Sequence, residues 1–580
     1  MVSNDLPGGW PQISIAEANS RLTGPGAPFE IVEAVICDQP MRVWKHAPAT
    51  LAHVFEAGIR HGDKCFLVFE DERITFDAFG KATVALARAL EIGGVGPGDR
   101  VAIVMRNLPE WPVAFYAAAL AGAIAVPINA MWSADELVYG LVDCGAKAAI
   151  IDSERLDRLA GRLSECERLV RVIVARSSEP RFASDAERLE DIIGGTDQWA
   201  DLCPQPRPDV QLVPDDDATI FYTSGTTGNP KGAVGSHRAM TSSIISMAQS
   251  AARSALRRGE PVPEPDPQAP QKSFLLVIPM FHVTGSHSFL QAALFHGSKI
   301  VLMRRWDPAE GARLIARERI SSAGGVPSIA WQLLEHERIN GGDLSSLEAL
   351  VYGGAPSSPD LVRSITDCIP AVTLATGWGM TETSGTCTHH QAEDYVAHPD
   401  SCGQIIPICD MQIVDLQTGR PVPAGETGEL CVRGATIVRG YWNKPEETER
   451  SFVEGWLRTG DLARVDEEGF CYIVDRAKDV IIRGGENIYC VEVENILYEH
   501  PDIIDAALVG LPDRVLGEIP AAVVQVRKGS EQNEKEIRSF VKARLAQFKV
   551  PEKVAFLDEA LPRNSNGKIL KRQLSVFFEK

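Results

Sequence analysis

The run from Tyr222 to Gly232, Tyr-Thr-Ser-Gly-Thr-Thr-Gly-Asn-Pro-Lys-Gly, gathers side chains and backbone suited to phosphate oxygens. Gly225, Gly228 and Gly232 permit positive φ and let N–H groups approach a ligand closely. The hydroxyls of Thr223, Ser224, Thr226 and Thr227 add donors, and Lys231 adds a compact positive charge. The lysine is not followed by Ser or Thr and the glycine spacing differs, so this is not a Walker loop. A polar hairpin rich in turn residues is the bland alternative. The density of hydroxyls, glycines and charge favours a loop that closes over the β- and γ-phosphates of a nucleotide.

Such a loop must be carried by a scaffold, and the chain is patterned to build one. Short β-branched runs recur at Val101–Met105, Ala148–Ile151, Val170–Val174, Thr219–Tyr222, Phe274–Ile278, Ile300–Met303 and Leu350–Tyr352. Helical patterns such as Phe76–Ile92 and Pro308–Glu318 lie between them, which predicts an α/β fold of parallel-rich sheets covered by helices. The 580 residues exceed one ordinary core. From about residue 403 to residue 474, Gly, Pro and short strands dominate and predict a β-rich subdomain. Residues 475–580 restart as a small α+β domain with strands at Ala506–Val509 and Ala521–Val526 and a helix at Glu534–Gln547. The expected division is therefore 1–474 and 475–580. Arg257–Gln271, proline-rich and polar, reads as a surface loop. The first 40 residues are poorly patterned and read as a segment that wraps the body or mediates contacts.

Bulk properties exclude several classes. The net charge is −20, which argues against a nucleic-acid surface. Twelve scattered cysteines without a C-x-x-C pair fit reduced thiols and a cytoplasmic location. No signal peptide or S-K-L address stands at the ends. The apolar stretch from Pro112 to Ile128 is broken by Gly122 and Pro127, so a buried helix followed by a strand fits better than a membrane span. Neither G-x-S-x-G nor H-E-x-x-H occurs.

The 222–232 run, with further motifs in order from about residue 45 to residue 572, resembles the adenylate-forming superfamily and its acyl-CoA synthetase branch. That resemblance implies ATP, Mg²⁺ and CoA as reaction partners and a small mobile C-terminal domain. Gly354, Ala355 and Pro356, after Gly353, are implied as a wall of the adenine pocket. In Gly377-Trp-Gly-Met-Thr-Glu-Thr383, Trp378 replaces the usual tyrosine and keeps an aromatic face for adenine, with Gly379 beside it. Thr381 is implied at the α-phosphate. Glu382, with Thr223, is implied at Mg²⁺, a hard cation that prefers oxygen ligands. Asp461 is implied as acceptor of the ribose hydroxyls and Arg476 as their neighbour. Lys568 is implied as the lysine that meets the reacting carboxylate and α-phosphate. Asn564 and Asn566 depart from the commoner small or hydroxyl residues of that motif. Lys478 matches the hinge position, and Gly484, Gly485 and Glu486 match the run that faces the acyl-adenylate and leaves room for pantetheine. For the 3′-phosphate of CoA, Arg483, Lys542, Arg544 and Lys549 are candidates, with ordinary surface charge as the default. Relatives are commonly dimers, and a homodimer is compatible with the sequence.

The expected reaction is ATP-dependent: a carboxylic acid attacks the α-phosphorus of ATP, and the acyl group then passes to CoA. Pro279-Met-Phe-His-Val-Thr-Gly285 resembles the segment at the acyl pocket. His282 stands where amino-acid-activating relatives carry an aspartate, which argues against an amino acid. His282 is read as a gate or a packing group for the acyl-adenylate, with a plain core histidine as the alternative. A medium- or long-chain fatty acid is the favoured substrate. An aryl, arylalkanoic or sterol-side-chain acid is the alternative, as is an acyl-AMP ligase that loads a carrier protein. A luminogenic oxidative enzyme is disfavoured by Val283, and a degenerate nucleotide binder by the full set of charged residues.

Overall fold

The computed structural model describes residues 9–159, 161–178, 186–223, 229–264, 266, 268–354, 359–527, 529–530, 532–563 and 569–578. Three sheets carry most of the strands. The first has seven strands in the order Gly232–Ser236, Asp217–Tyr222, Ile124–Pro127, Arg100–Val104, Ala148–Asp152, Arg171–Ala175 and Glu187–Arg188. All its pairings are parallel except the hairpin that joins Asp217–Tyr222 to Gly232–Ser236. The second is 14-stranded. Six neighbouring parallel strands form its core: Cys65–Phe69, Lys299–Leu302, Ser273–Leu276, Ser322–Gly325, Ala349–Gly353 and Thr373–Met380. Beyond Thr373–Met380 the sheet continues antiparallel through Gly385–Gln391, Gly403–Ile405, Phe470–Arg476, Trp456–Val465, Gly428–Gly434 and Cys409–Val414.

The period of two along each strand distributes side chains between layers. Val101 and Ile103 of the first sheet join Leu67 and Ile300 of the second in one shared core, filled by the helices Phe76–Ile92 and Glu110–Leu120. Ala102 and Val104 face the opposite way, toward the helix Ala134–Cys144. Val68, Leu275, Val301, Ala323 and Leu350 pack outward on the second sheet with Pro308–Glu318, Pro327–Asn340 and Pro359–Cys368. Every residue of Glu110–Leu120 is buried, as a helix apolar on all sides requires, and its one charged residue, Glu110, pairs with Arg176 at 2.5 Å. A left-handed turn at Gly122 (φ 74°) leads from it into the strand Ile124–Pro127. Among the described residues no helix is long and apolar enough to cross a membrane.

The C-terminal elements form a five-stranded sheet with Gly517–Val526 at its centre and Ile503–Asp513 as the long edge strand beside it. Its two faces are covered separately. Leu508, Ala522 and Val524 pack with the helices Cys490–Tyr498 and Glu534–Lys542, and Ala507, Val509 and Val523 pack with Leu561 and Leu574. The helix that starts at Glu534 stops at Lys542, five residues before the sequence pattern suggested. The chain turns there through Leu545 N–H to Val541 O and enters a short 3₁₀ turn at Gln547–Lys549.

The segment expected to begin a surface loop at Arg257 is a second correction. The helix His237–Arg258 runs through Arg257 and ends at Gly259, whose φ of 82° closes it. Arg257 is buried, and its Nε donates to Asp394 Oδ1 at 2.9 Å. The exposed loop begins only after it. The N-terminal segment does wrap the body. The helix Ile15–Thr23 packs on His237–Arg258, and the hairpin Ile31–Ile36/Gln39–Trp44 reaches the β-rich strands. Arg42 there donates to Asp410 at 2.6 Å, and Trp44 Nε1 to Ser246 Oγ at 3.0 Å.

Candidate active site

Ligands of open α/β sheets lie at the carboxyl ends of the strands, and the motifs collect there. Asp217–Tyr222 delivers Thr223, Ala349–Gly353 delivers Gly354, and Thr373–Met380 runs directly into Thr381 and Glu382. The two ends of the phosphate loop are joined. Thr223 N–H donates to Lys231 O at 2.9 Å, and Lys231 N–H donates to Thr223 Oγ1 at 3.4 Å. Tyr222 OH donates to Asp143 at 2.7 Å, and Tyr139 OH to Pro230 O at 2.9 Å, so the loop springs from anchored flanks. Ser224, Gly225, Thr226, Thr227 and Gly228 lie outside the described residues, as do Ala355, Pro356 and Lys568.

Glu382 sits in a 3₁₀ turn, Thr381–Thr383, and is 6% exposed. A bulge between Trp378 and Gly379 precedes that turn. A Cβ at Gly379 would stand 1.9 Å from Gly385 O, so only glycine lets the two strands come this close. Thr383 Oγ1 donates to Gly385 O at 2.6 Å and fixes the turn. Glu382 Oε1 accepts a hydrogen bond from Tyr441 OH at 2.7 Å, and Lys231 Nζ lies 4.2 Å from the centre of the same tyrosine ring. Burial, followed by the nearby Glu382 carboxylate, pushes the Tyr441 phenol above its usual range, so it stays a donor.

A second chain of contacts links residues expected at the nucleoside. Trp378 Nε1 donates to Asp461 Oδ2 at 2.8 Å, and Arg476 Nε lies 2.8 Å from Asp461 Oδ1. Asp461 is 4% exposed. It faces Arg476 because the strands Trp456–Val465 and Phe470–Arg476 pair Asp461 with Arg476 directly. Trp378 is itself buried in the apolar cluster that holds Cys387, Ile406 and Cys471. Asp475, the neighbour of Arg476, accepts from Arg476 N–H at 2.7 Å and from Cys490 N–H. Burial raises its carboxyl to about 6, against the pull of Lys571 and those two N–H groups.

His282 is half-buried beside Phe281, with ring centres 4.7 Å apart. Its carbonyl accepts from Ser286 N–H at 3.1 Å, which starts a π-helical stretch, Thr284–Leu290. Such wide turns are frequent at functional sites. Phe281 and Val283 on either side of it in the chain, and Phe289 in the π-helical stretch, are buried. His287 in the same stretch is fully enclosed, edge-on to Phe221, and burial holds it neutral by lowering its pKa to about 3.

Lys478 is exposed in the turn after Phe470–Arg476, where Ala477 N–H donates to Gly460 O at 3.0 Å. Gly484 (φ 60°) and Gly485 (φ 90°) form an exposed turn, followed by Glu486. Of the cations considered for CoA, Arg483 pairs with Glu552, Lys549 with Glu492 and Arg544 with Glu499, each within the C-terminal elements. The structure thus brings Lys231 and Glu382 together around Tyr441, and Trp378, Asp461 and Arg476 into one line. Tyr441 was not singled out by sequence reasoning. Its only local signal is the Gly440-Tyr-Trp-Asn443 run, where an aromatic residue between short strands reads as core.

Glu382 offers an oxygen ligand of the kind Mg²⁺ takes, with Tyr441 engaged at Oε1. No group of three or more His, Cys, Asp or Glu side chains among the described residues could hold a metal by itself. Mg²⁺ fits such a place, because it is commonly bound by one or two carboxylates together with substrate phosphates and water.

Two family models match the chain, AMP-binding enzyme over residues 54–442 and AMP-binding enzyme C-terminal domain over residues 492–568. The chain belongs to the AMP-binding enzyme family, within the adenylate-forming superfamily. It is similar to a feruloyl-CoA synthase of Amycolatopsis sp, 33% identical with 89% of this chain and 94% of that protein covered. A long-chain-fatty-acid–CoA ligase of Bacillus subtilis is 31% identical, covering 90% of this chain and 92% of the relative. Among solved structures, o-succinylbenzoate CoA synthetase from Bacillus subtilis, in complex with its acyl-adenylate, is 29% identical with a TM-score of 0.72, covering 90% of this chain and 97% of that one. ATP-bound MatB from Rhodopseudomonas palustris is 27% identical with a TM-score of 0.77, covering 91% and 99%. The protein is an ATP-dependent CoA ligase of this family, an AMP-forming acid–thiol ligase.

Proposed function

We propose that the enzyme activates an apolar carboxylic acid, with a medium- or long-chain fatty acid as the first reading. The observation that supports it is the lining at Pro279–Gly285. His282 lies against the Phe281 ring and between buried Phe281 and Val283 in the chain, and the segment carries no carboxylate that would pair a substrate ammonium. An aryl acid is the second reading, favoured by similarity to the feruloyl-CoA synthase and to the 4-coumarate–CoA ligase 3 of Oryza sativa subsp. japonica, 32% identical over 87% of this chain.

In the first half-reaction a substrate carboxylate oxygen attacks the α-phosphorus of ATP, the bond to the bridging oxygen breaks, and pyrophosphate leaves. Two anions must meet, so the protein's task is alignment and charge neutralisation rather than supply of a nucleophile. Lys231 and the backbone of the 223–228 loop hold the β- and γ-phosphates. Thr381 and Lys568 meet the α-phosphate and the incoming carboxylate. Asp461 accepts the ribose hydroxyls, with Arg476 Nε 2.8 Å from its Oδ1. Trp378, Gly379 and Gly354 with Ala355 and Pro356 bound the adenine. Glu382, with Thr223, holds Mg²⁺, which when bound supplies positive charge to the phosphate oxygens.

In the second half-reaction the CoA thiol adds to the acyl carbonyl and AMP departs, leaving a thioester. Residues 475–580 act as a mobile domain that turns about Lys478 and brings Gly484, Gly485 and Glu486 to the acyl-adenylate. Lys568 then serves only the first step. The test measures AMP and acyl-CoA formation across fatty, aryl and sterol acids, in wild type and Lys568→Ala. The variant is expected to lose adenylation while turning a supplied acyl-adenylate into thioester at near the wild-type rate. Equal loss of both steps removes Lys568 from its role. Adenylate without thioester from every acid points to a carrier protein as acceptor.

A further inference from the structure

Lys231 and Glu382 carry opposite charges beside the same aromatic ring, yet among the described residues neither forms an ion pair. Tyr441 stands between them: its ring face takes the ammonium at 4.2 Å, and its hydroxyl takes the carboxylate at 2.7 Å. The tyrosine is 8% exposed, and its backbone is pinned on both sides. Ala233 bridges Tyr441 in antiparallel register, Trp442 N–H donates to Gly232 O at 2.7 Å, and Val438 N–H donates to Glu382 O at 3.0 Å. Tyr441 N–H donates to Thr448 Oγ1 at 2.9 Å. One short segment therefore grips the strand that leaves the phosphate loop and the turn that carries Glu382.

The arrangement has a chemical consequence. A direct Lys231–Glu382 ion pair would satisfy each charge with the other and set it in competition with phosphate and metal. A cation over a ring face and a carboxylate holding one neutral hydroxyl are not engaged with each other, so each is left to meet an opposite charge on the ligand. We propose that Tyr441 is a positioning residue of the adenylation step, which keeps Lys231 and Glu382 apart so that one meets the ATP phosphates and the other their Mg²⁺. This inference rests on the assignment of Glu382 to Mg²⁺ above.

The test is ATP binding by titration calorimetry over a series of Mg²⁺ concentrations, with the Mg²⁺ dependence of adenylate formation measured beside it. Wild type, Tyr441→Phe, Tyr441→Leu and Glu382→Gln are compared, with thermal melting as a check on folding. Tyr441→Phe keeps the ring under Lys231 and removes the donor. Its half-saturating Mg²⁺ is expected to rise about tenfold, the scale of one hydrogen bond to a charged group. Its ATP affinity at saturating Mg²⁺ is expected to stay within about twofold of wild type, because the ring face is retained. Tyr441→Leu loses both contacts and is expected to bind ATP roughly fivefold more weakly even at saturating Mg²⁺. A shift in Glu382→Gln with none in Tyr441→Phe overturns the role of Tyr441 and leaves the metal assignment standing. No shift in Glu382→Gln overturns the metal assignment and this inference with it. Equal weakening in Tyr441→Phe and Tyr441→Leu at every Mg²⁺ concentration, with lowered melting, reduces Tyr441 to a packing residue and also overturns the proposal.

Discussion

Replacing Trp378 with Phe separates two ways in which this residue can serve the nucleotide. An aromatic wall for adenine survives the change, whereas the hydrogen bond from Nε1 to Asp461 at 2.8 Å does not. Trp378 is 8% exposed and Asp461 4%, so water does not readily replace the lost donor. Hydrogen bonds to charged groups contribute about 1.5–3 kcal/mol. Arg476 remains on the other oxygen at 2.8 Å, which places the loss near the lower end, about 1.5 kcal/mol. At about 1.4 kcal/mol per tenfold, ATP binding weakens by at most about tenfold. The assay is equilibrium binding of ATP and of 3′-deoxy-ATP to wild type and variant. In the wild type the deoxy nucleotide leaves the oriented Asp461 short of a donor and binds more weakly. In Trp378→Phe that orientation is already lost, so the gap between the nucleotides narrows, with deoxy-ATP affected less than about threefold. Equal weakening of both nucleotides would mean that Trp378 acts on adenine, and the reasoning through Asp461 would be refuted. Unchanged affinity for both would remove the bond from nucleotide binding altogether.

Asp475 makes a pH-dependent prediction. Its folded pKa, about 6, lies above the ordinary 3.8, so the folded state binds more protons between those values and stability falls as pH rises through that window. Above pH 6 the ionised group costs about 3 kcal/mol. Melting temperatures of wild type and Asp475→Asn from pH 5 to 7 are expected to diverge in favour of the variant as pH rises; parallel curves would contradict the burial argument. Arg257→Met tests the corrected helix end. Arg257 and Asp394 side chains are 5% and 2% exposed, and removing one partner of such a buried pair costs about 3–5 kcal/mol. A clear drop in melting temperature is expected, whereas a change within experimental error would place Arg257 in a surface loop after all.

Elements whose signals are local were legible. The helices Phe76–Ile92 and Pro308–Glu318 begin where Thr75 and Asp307 cap them, and such caps lie within three residues of the N–H groups they satisfy. The broken apolar run around Gly122 resolved into a helix and a strand because a glycine turn is written in one residue. Arg257 was misread because its partner, Asp394, is 137 residues away. A proline-rich run to its C-terminal side says nothing about what the last helical turn packs against. The division of the second sheet was equally hidden. The β-rich strands change in composition near residue 403, yet they hydrogen-bond onto the parallel strands through Gly385–Gln391, and one 14-stranded sheet results.

The same distinction runs through the site. Lys231 stood out because a phosphate loop requires charge, and Glu382, Asp461 and Arg476 because their motifs resemble those of the adenylate-forming superfamily. What arranges those charges is neutral. Tyr441 is 59 residues from Glu382, and Trp378 is 83 residues from Asp461. A phenol or an indole between short strands has the same sequence signature whether it fills a core or holds a carboxylate. Motifs therefore point to the charges an adenylating site would use, while the folded structure shows Lys231 and Glu382 held beside one ring without an ion pair between them.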